Sequence, residues 1–269
     1  MPNPLPEFEQ PPLDEMVMGV QFDPLPKFRA AHLGLYWSRI RSQYPHTEDQ
    51  PPLPSFTEQM EIKPSAVSVS ATLVGAVLPR CWFLTESRTE LIQLQQDRFL
   101  RNWRQLDRTE RYPRFGPLAR EFRRSWEGFL TFLGEEGLGP ARVNQCELTY
   151  INNIETDAVR EQLGELAGVF TLLRPRGSQQ LLPPPEMVSW QVRHKLPEGR
   201  GRLYIEMNPA FRARDLKLVL RLALVARGAP AGGMPDEVAA WFDMAHDWTV
   251  RAFADLTEPG MHELWRKRP

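Results

Sequence analysis

Two stretches of this chain place apolar residues at helical spacing, a third opens on a helix-capping residue, and several short alternating segments, rather than one, separate each stretch from the next. Leu33, Trp37, Ile40 and Tyr44 step along residues 27–44 so that one apolar stripe lies on one helix face. Leu118, Phe122, Trp126, Phe129 and Leu133 do the same in residues 117–136, with Gly137 placed as a C-cap. A third helix is expected from an N-cap at Asp236 to about Leu256. Parallel strands need long crossovers, whereas strands that arrive in runs can pair with their sequence neighbours through tight turns. The expectation is therefore an α+β fold, with antiparallel sheet, in one piece or two, packed against about three long helices.

Strand patterns fall at residues 16–22, 81–84, 91–96, 143–154, 187–196, 202–207 and 216–227. In VNQCELTYINNI, Val143, Gln145, Glu147, Thr149 and Ile151 share one face, and Cys146, Leu148 and Tyr150 share the other. LKLVLRLALVARG sets Leu216, Leu218, Leu220, Leu222 and Leu224 on one side. Its other side is half apolar, the pattern of a central strand. Residues 45–65 read as a long connection with a short strand near Met60, and residues 156–166 as a short helix. Five prolines in the first dozen residues predict an extended, poorly ordered leader. The succession strand, helix, strands, helix, then strands and a helix, suggests an internal duplication. It divides the chain into a leader (1–12) and two α+β halves (13–160 and 161–269), expected to form one compact unit.

Composition excludes several classes. Hydrophobic residues make up 42% of the chain and there are eight tryptophans, which is incompatible with general disorder. Cys81 and Cys146 are far apart in strand-like, apolar contexts, so both read as small buried hydrophobes, not as a disulfide or zinc pair. No apolar run approaches the ~18–20 residues of a membrane span, and no secretory signal opens the chain, so a cytoplasmic location without membrane contact is expected. With 33 Lys+Arg against 34 Asp+Glu, only local clustering can argue for a charged partner.

PPLDEMVMGVQF, a following helix with HLGLYW and YP, LIQLQQDRFLRNWR, YPRF, ELTYINNI and AHDWTVRAFADLT occur in this order between Pro11 and Trp265. In these motifs the chain resembles a sporadically distributed prokaryotic protein family without an assigned activity. The resemblance implies that PPLDEMVMGVQF is the first strand of the fold with Pro11 and Pro12 as its lead-in. Sporadic distribution would fit an accessory role in mobile or defence-type gene sets.

The most unusual local feature lies between residues 98 and 124, where nine arginines face three carboxylates, with Phe99, Trp103, Tyr112 and Phe115 interleaved. Guanidinium groups bind phosphates bidentately and aromatic rings stack on bases, so Arg101, Trp103, Arg104, Arg108, Arg111, Tyr112 and Arg114 are candidate contacts for a nucleic acid or another polyanion. The competing reading is a solvated helix face plus aromatic anchors in the core, with arginine stems covering apolar surface. The five histidines form no close metal spacing, so neither metal nor cofactor is expected. His32 and His246 lie near aromatics on long helices and read first as hydrogen-bonded helix residues. Glu147, inside a strand, calls for an arginine partner or would acquire a perturbed pKa. No GxSxG, GxxxxGK[ST] or GxGxxG pattern is present.

These features favour a non-catalytic binding or regulatory protein that engages a macromolecular partner. The alternative is an enzyme acting on a small ligand in a cavity between sheet and helices, with Glu147, His32, His246 and Arg104 as dispersed candidates.

Overall fold

The computed structural model describes residues 4–55, 57–58, 60, 78–107, 110–155, 169–171 and 188–268. Among them, nine strands form one antiparallel sheet: β1 (Leu13–Phe22), β2 (His46–Gln50), β3 (Arg80–Leu84), β4 (Glu90–Gln95), β5 (Arg98–Arg104), β6 (Val143–Ile154), β7 (Trp190–Lys195), β8 (Arg202–Phe211) and β9 (Leu218–Gly228). Their order is β2-β3-β4-β5-β1-β6-β9-β8-β7. The helices are α1 (Ala30–Ile40), α2 (Phe115–Glu135), α3 (Pro235–Leu256) and the short α4 (Pro259–Leu264). Two helices are long; α1, at 11 residues, is shorter than its stripe suggested because it starts only after Arg29 and closes at Arg41.

A similar path is traced twice, with a four-strand meander the first time and a three-strand one the second. β1 departs through α1, a meander runs β2 to β5, and β5 returns beside β1. After α2, β6 opens a second run in which β7 to β9 meander and β9 returns beside β6. The opening strands β1 and β6 pair at the centre, so both halves share one sheet.

Register fixes which residues meet the helices. Met16 lies opposite both Trp103 and Tyr150, Met18 opposite Leu148, and Val20 opposite Phe99 and Cys146. Leu220, Leu222 and Leu224 continue this face on β9. Over it, Phe22, Phe99, Trp126 and Phe129 stack or tilt together, with ring centroids 5.4–5.9 Å apart. Tyr36 of α1 touches Phe83, Phe129 and Phe132. These rings are why the helical stripes bury on this side of the sheet.

The opposite face is polar yet largely buried. Gln93 accepts from Arg80 and from the Trp82 indole and donates to Asn102, and Asn102 donates to Glu15, a ladder across β3, β4, β5 and β1. Part of the connection after β2 crosses this face. Leu53 N–H donates to Gln95, Glu58 N–H to Gln145, and the Glu58 carboxylate takes bonds from Arg202 and Tyr204 on β8. Buried amides need such partners, and the ladder supplies them.

Some elements differ from what the sequence suggested. β2, HTEDQ, lacks an apolar face because it is the last strand at one edge. The first part of the basic segment is strand β5, not a helix face. The expected strand near Met60 leads into residues outside those described, where the expected helix at 156–166 also lies. The leader runs extended but is tied down: Phe8 is buried and bridges Lys267, and Gln10 N–H donates to the Trp265 carbonyl. Met234, not Asp236, caps α3, with its N–H on the Glu237 carboxylate. Asp236 sits in the first turn, where a carboxylate still favours the helix dipole. At the start of β8, Gly201 (φ 140°) crosses Gly228 of β9 so closely that a Cβ on either would fall inside the other strand's backbone.

Candidate functional site

Helices α2 and α3 run in opposite directions. Phe115, at the start of α2, stacks on His246 in mid-α3 at 3.9 Å and 6°. Arg123, two turns on, meets Asp236 at the start of α3. Where they open above β1, β6 and β9 lies a cavity of about 460 Å³. Leu13, Tyr150, Asn152 and Leu224 form its floor; Tyr112 and Phe115 wall it on one side, and Asp243, His246, Thr249, Val250 and Phe253 on the other. Leu5, Pro6, Glu7 and Phe8 of the leader close one end.

Its polar groups form a short chain. The Tyr112 hydroxyl lies 3.3 Å from that of Tyr150, which lies 2.9 Å from His246 Nδ1. Burial lowers the His246 pKa to about 4, so the ring is neutral near neutral pH. The same burial pushes Tyr112 up to about 12 and Tyr150 well above its ordinary value. All three groups are therefore uncharged and act by hydrogen bonding. Thr249 is 2% exposed and its hydroxyl has no hydrogen-bond partner. A buried unpartnered hydroxyl is costly, and this one lies behind the cavity wall, closed to solvent, rather than facing the space. Asp243 has its pKa raised by burial, and among the described residues no cation pairs with it.

The candidates read from the sequence are scattered. Arg101 lies on the helix-facing side of β5, its side chain 4% exposed, and pairs with Glu90. Trp103 is buried beside Tyr112. Arg104 projects to the other face, where it bonds the Arg88 carbonyl and overlies Trp82. Arg111 is exposed, and Arg108 lies outside the described residues. Arg114, at the N-cap of α2 with φ 78°, donates to the Phe8 carbonyl at 2.7 Å and so holds the leader. Within β5, strand alternation sends Arg101 and Arg104 to opposite faces of the sheet.

Glu147 pairs with Arg227 at 2.5 Å on the face away from the helices, so the sheet separates it from His246. His32 accepts from the Arg29 N–H at 2.8 Å as part of the start of α1. The dispersed set Glu147, His32, His246 and Arg104 is thus not brought together; only His246, Tyr112 and Arg114 share the cavity. Cys146 is buried as expected. Cys81 is only half-buried and donates to Asp49, because it stands next to the edge strand.

Tyr150, Asp243 and Thr249 were missed as site residues. The available signal was a hydroxyl, Thr249, standing in the buried stripe of α3 between Ala245 and Phe253. Among the described residues no group of three or more His, Cys, Asp or Glu stands together as a metal site. Among the described residues, no helix is long and apolar enough to cross a membrane. No family model matches the chain, and no curated protein matches it.

Proposed function

We propose that this protein is a binding protein whose sheet–helix cavity takes a small, mainly apolar molecule carrying a hydroxyl or carbonyl group. The observation that carries the reading is the uncharged Tyr112–Tyr150–His246 hydrogen-bonded chain in the wall of a 460 Å³ cavity lined otherwise mainly by apolar residues. The volume lies within the ~300–1,000 Å³ of small-molecule sites, and mainly apolar walls with a few convergent polar groups fit that class. With His246 neutral and the carboxylate of Glu147 across the sheet, the geometry favours binding over acid–base catalysis. The similar path of the two halves supports reading them as a duplication, with the cavity floor on the seam where β1 meets β6.

Naphthol, an aromatic ring bearing one hydroxyl, is a suitable probe. Calorimetric titration is expected to give saturable one-to-one binding to the native chain. Val250→Trp, which fills the cavity, should weaken it at least about tenfold, or ~1.4 kcal/mol. Equal heats from both proteins would refute the reading.

Engagement of a macromolecular partner has support at another place. Phe211 and Leu216, at the β8–β9 turn, are 72% and 74% exposed. Phe211 borders Arg104, Leu106 and Arg221 around a shallow cavity on the face turned away from the described helices. Exposed apolar side chains flanked by arginines suit a protein surface better than a nucleic acid, which would require a continuous basic stripe. Phe211→Glu should abolish such an association while leaving naphthol binding intact, as read by co-purification and calorimetry.

A further inference from the structure

The cavity continues beyond Asp243. A second hollow of about 290 Å³ shares Phe115, Gly116 and Asp243 with the first and extends between α2 and α3 toward Val238 and Ala239. Its walls are otherwise apolar, including Met18, Ala119 and Phe122. At this end the polar groups differ in kind from those around Thr249. Trp126, in the wall and 1% exposed, has an indole N–H with no hydrogen-bond partner. Arg123 is occupied by Glu127 and Asp236. Arg120 is exposed, lines the hollow, and pairs with no carboxylate among the described residues. The indole N–H is set behind the wall, closed to solvent, so the accessible group at this end is the Arg120 guanidinium, which can only donate.

We infer that the two hollows form one groove for an elongated apolar carboxylate, with its body along α2 and α3 and its acid group at the Arg120 and Trp126 end. This rests on the cavity being a ligand site and adds the length and charge of what fills it. Thr249 and Ala239 are separated by ten residues of α3, about 15 Å along the axis. A compact molecule fills one hollow; only an extended one reaches from the walls around Thr249 to the guanidinium at the far end. Asp243 stands in the wall common to both hollows, which disfavours an anion there and places the carboxylate beyond it.

The probes are dodecanoate, below its micelle-forming concentration, dodecanol and naphthol, titrated calorimetrically against the native chain, Arg120→Ala and Ala239→Trp. Dodecanoate is expected to bind the native chain at least about tenfold more tightly than dodecanol, and Arg120→Ala to erase that preference. Ala239→Trp should weaken dodecanoate about tenfold or more and leave naphthol unchanged. Arg120 is exposed, so its variant reads out even where the tryptophan variant fails to fold. No preference for the carboxylate, or a preference that survives Arg120→Ala, overturns the inference. Binding to phosphatidylglycerol vesicles without binding of free dodecanoate overturns it too. If naphthol binds and dodecanoate does not, only the elongated ligand is wrong; if neither binds, the cavity itself is not the site.

Discussion

His246 shows how position decides what a titratable side chain can do. Between Phe115 and Tyr150 its imidazole is kept neutral, with the folded pKa near 4 against about 6.5 when unfolded. The unfolded chain therefore binds more protons between these values, so this contribution to stability is complete above about pH 6.5 and is lost as pH falls toward 4. Denaturant unfolding across that window should reveal an acid-side loss on the order of 2–3 kcal/mol that His246→Phe reduces. An unchanged slope in the variant would place the titrating group elsewhere. Arg101 teaches the converse lesson about a sequence-level cluster. Its burial against Glu90 means that Arg101→Glu should destabilise the fold by roughly 3–5 kcal/mol. Arg111→Glu, on the surface, should stay within ~0.5 kcal/mol. Thermal unfolding of the two variants distinguishes a structural arginine from a solvated one. Arginine count was legible in the sequence; which face of β5 each arginine takes was not, since that depends on the register with β1.

The elements were legible wherever one face is buried by the chain's own helices. The stripe of α2 and the alternation of β6 and most of β9 appear in the structure, because burial against rings such as Trp126 and Phe129 demands that period, whereas Leu216, read as part of the last strand's apolar side, falls in the turn before β9 and is 74% exposed. Edge strand β2 left no such trace, since nothing apolar has to be hidden there. The leader was misjudged for a related reason: its prolines argue for extension, but its attachment comes from Phe8 among Phe253, His262 and Trp265, residues distant in sequence. Phe8→Ala should cost about 2–4 kcal/mol and expose the leader to proteolysis, measured by unfolding and by limited digestion. Equal resistance in variant and native chain would mean that the leader is held by its backbone bonds alone. At the other side of the molecule, Gly228→Ala should be far more damaging than a typical surface change, since no shift of a flexible side chain can relieve contact with backbone.

Across the whole molecule, one sheet presents two unlike surfaces. One face carries the aromatic core, both long helices and the groove that opens where they diverge. The other carries a hydrogen-bonded polar ladder crossed by residues of the connection after β2. The meander pattern made the antiparallel class readable from sequence, yet it could not say whether the halves share a sheet; the β1–β6 pairing decides that and creates the seam on which the cavity sits. No local motif could have announced the cavity, because its walls come from the leader, three strands and two helices. The most direct test of the ligand-site account is methyl-resolved NMR of the intact chain titrated with naphthol. The account predicts saturable shifts at Leu13, Leu224, Thr249 and Val250, with Leu91 and Leu100 on the far face unmoved. Shifts spread over both faces without saturation, or no shifts at all, would contradict it.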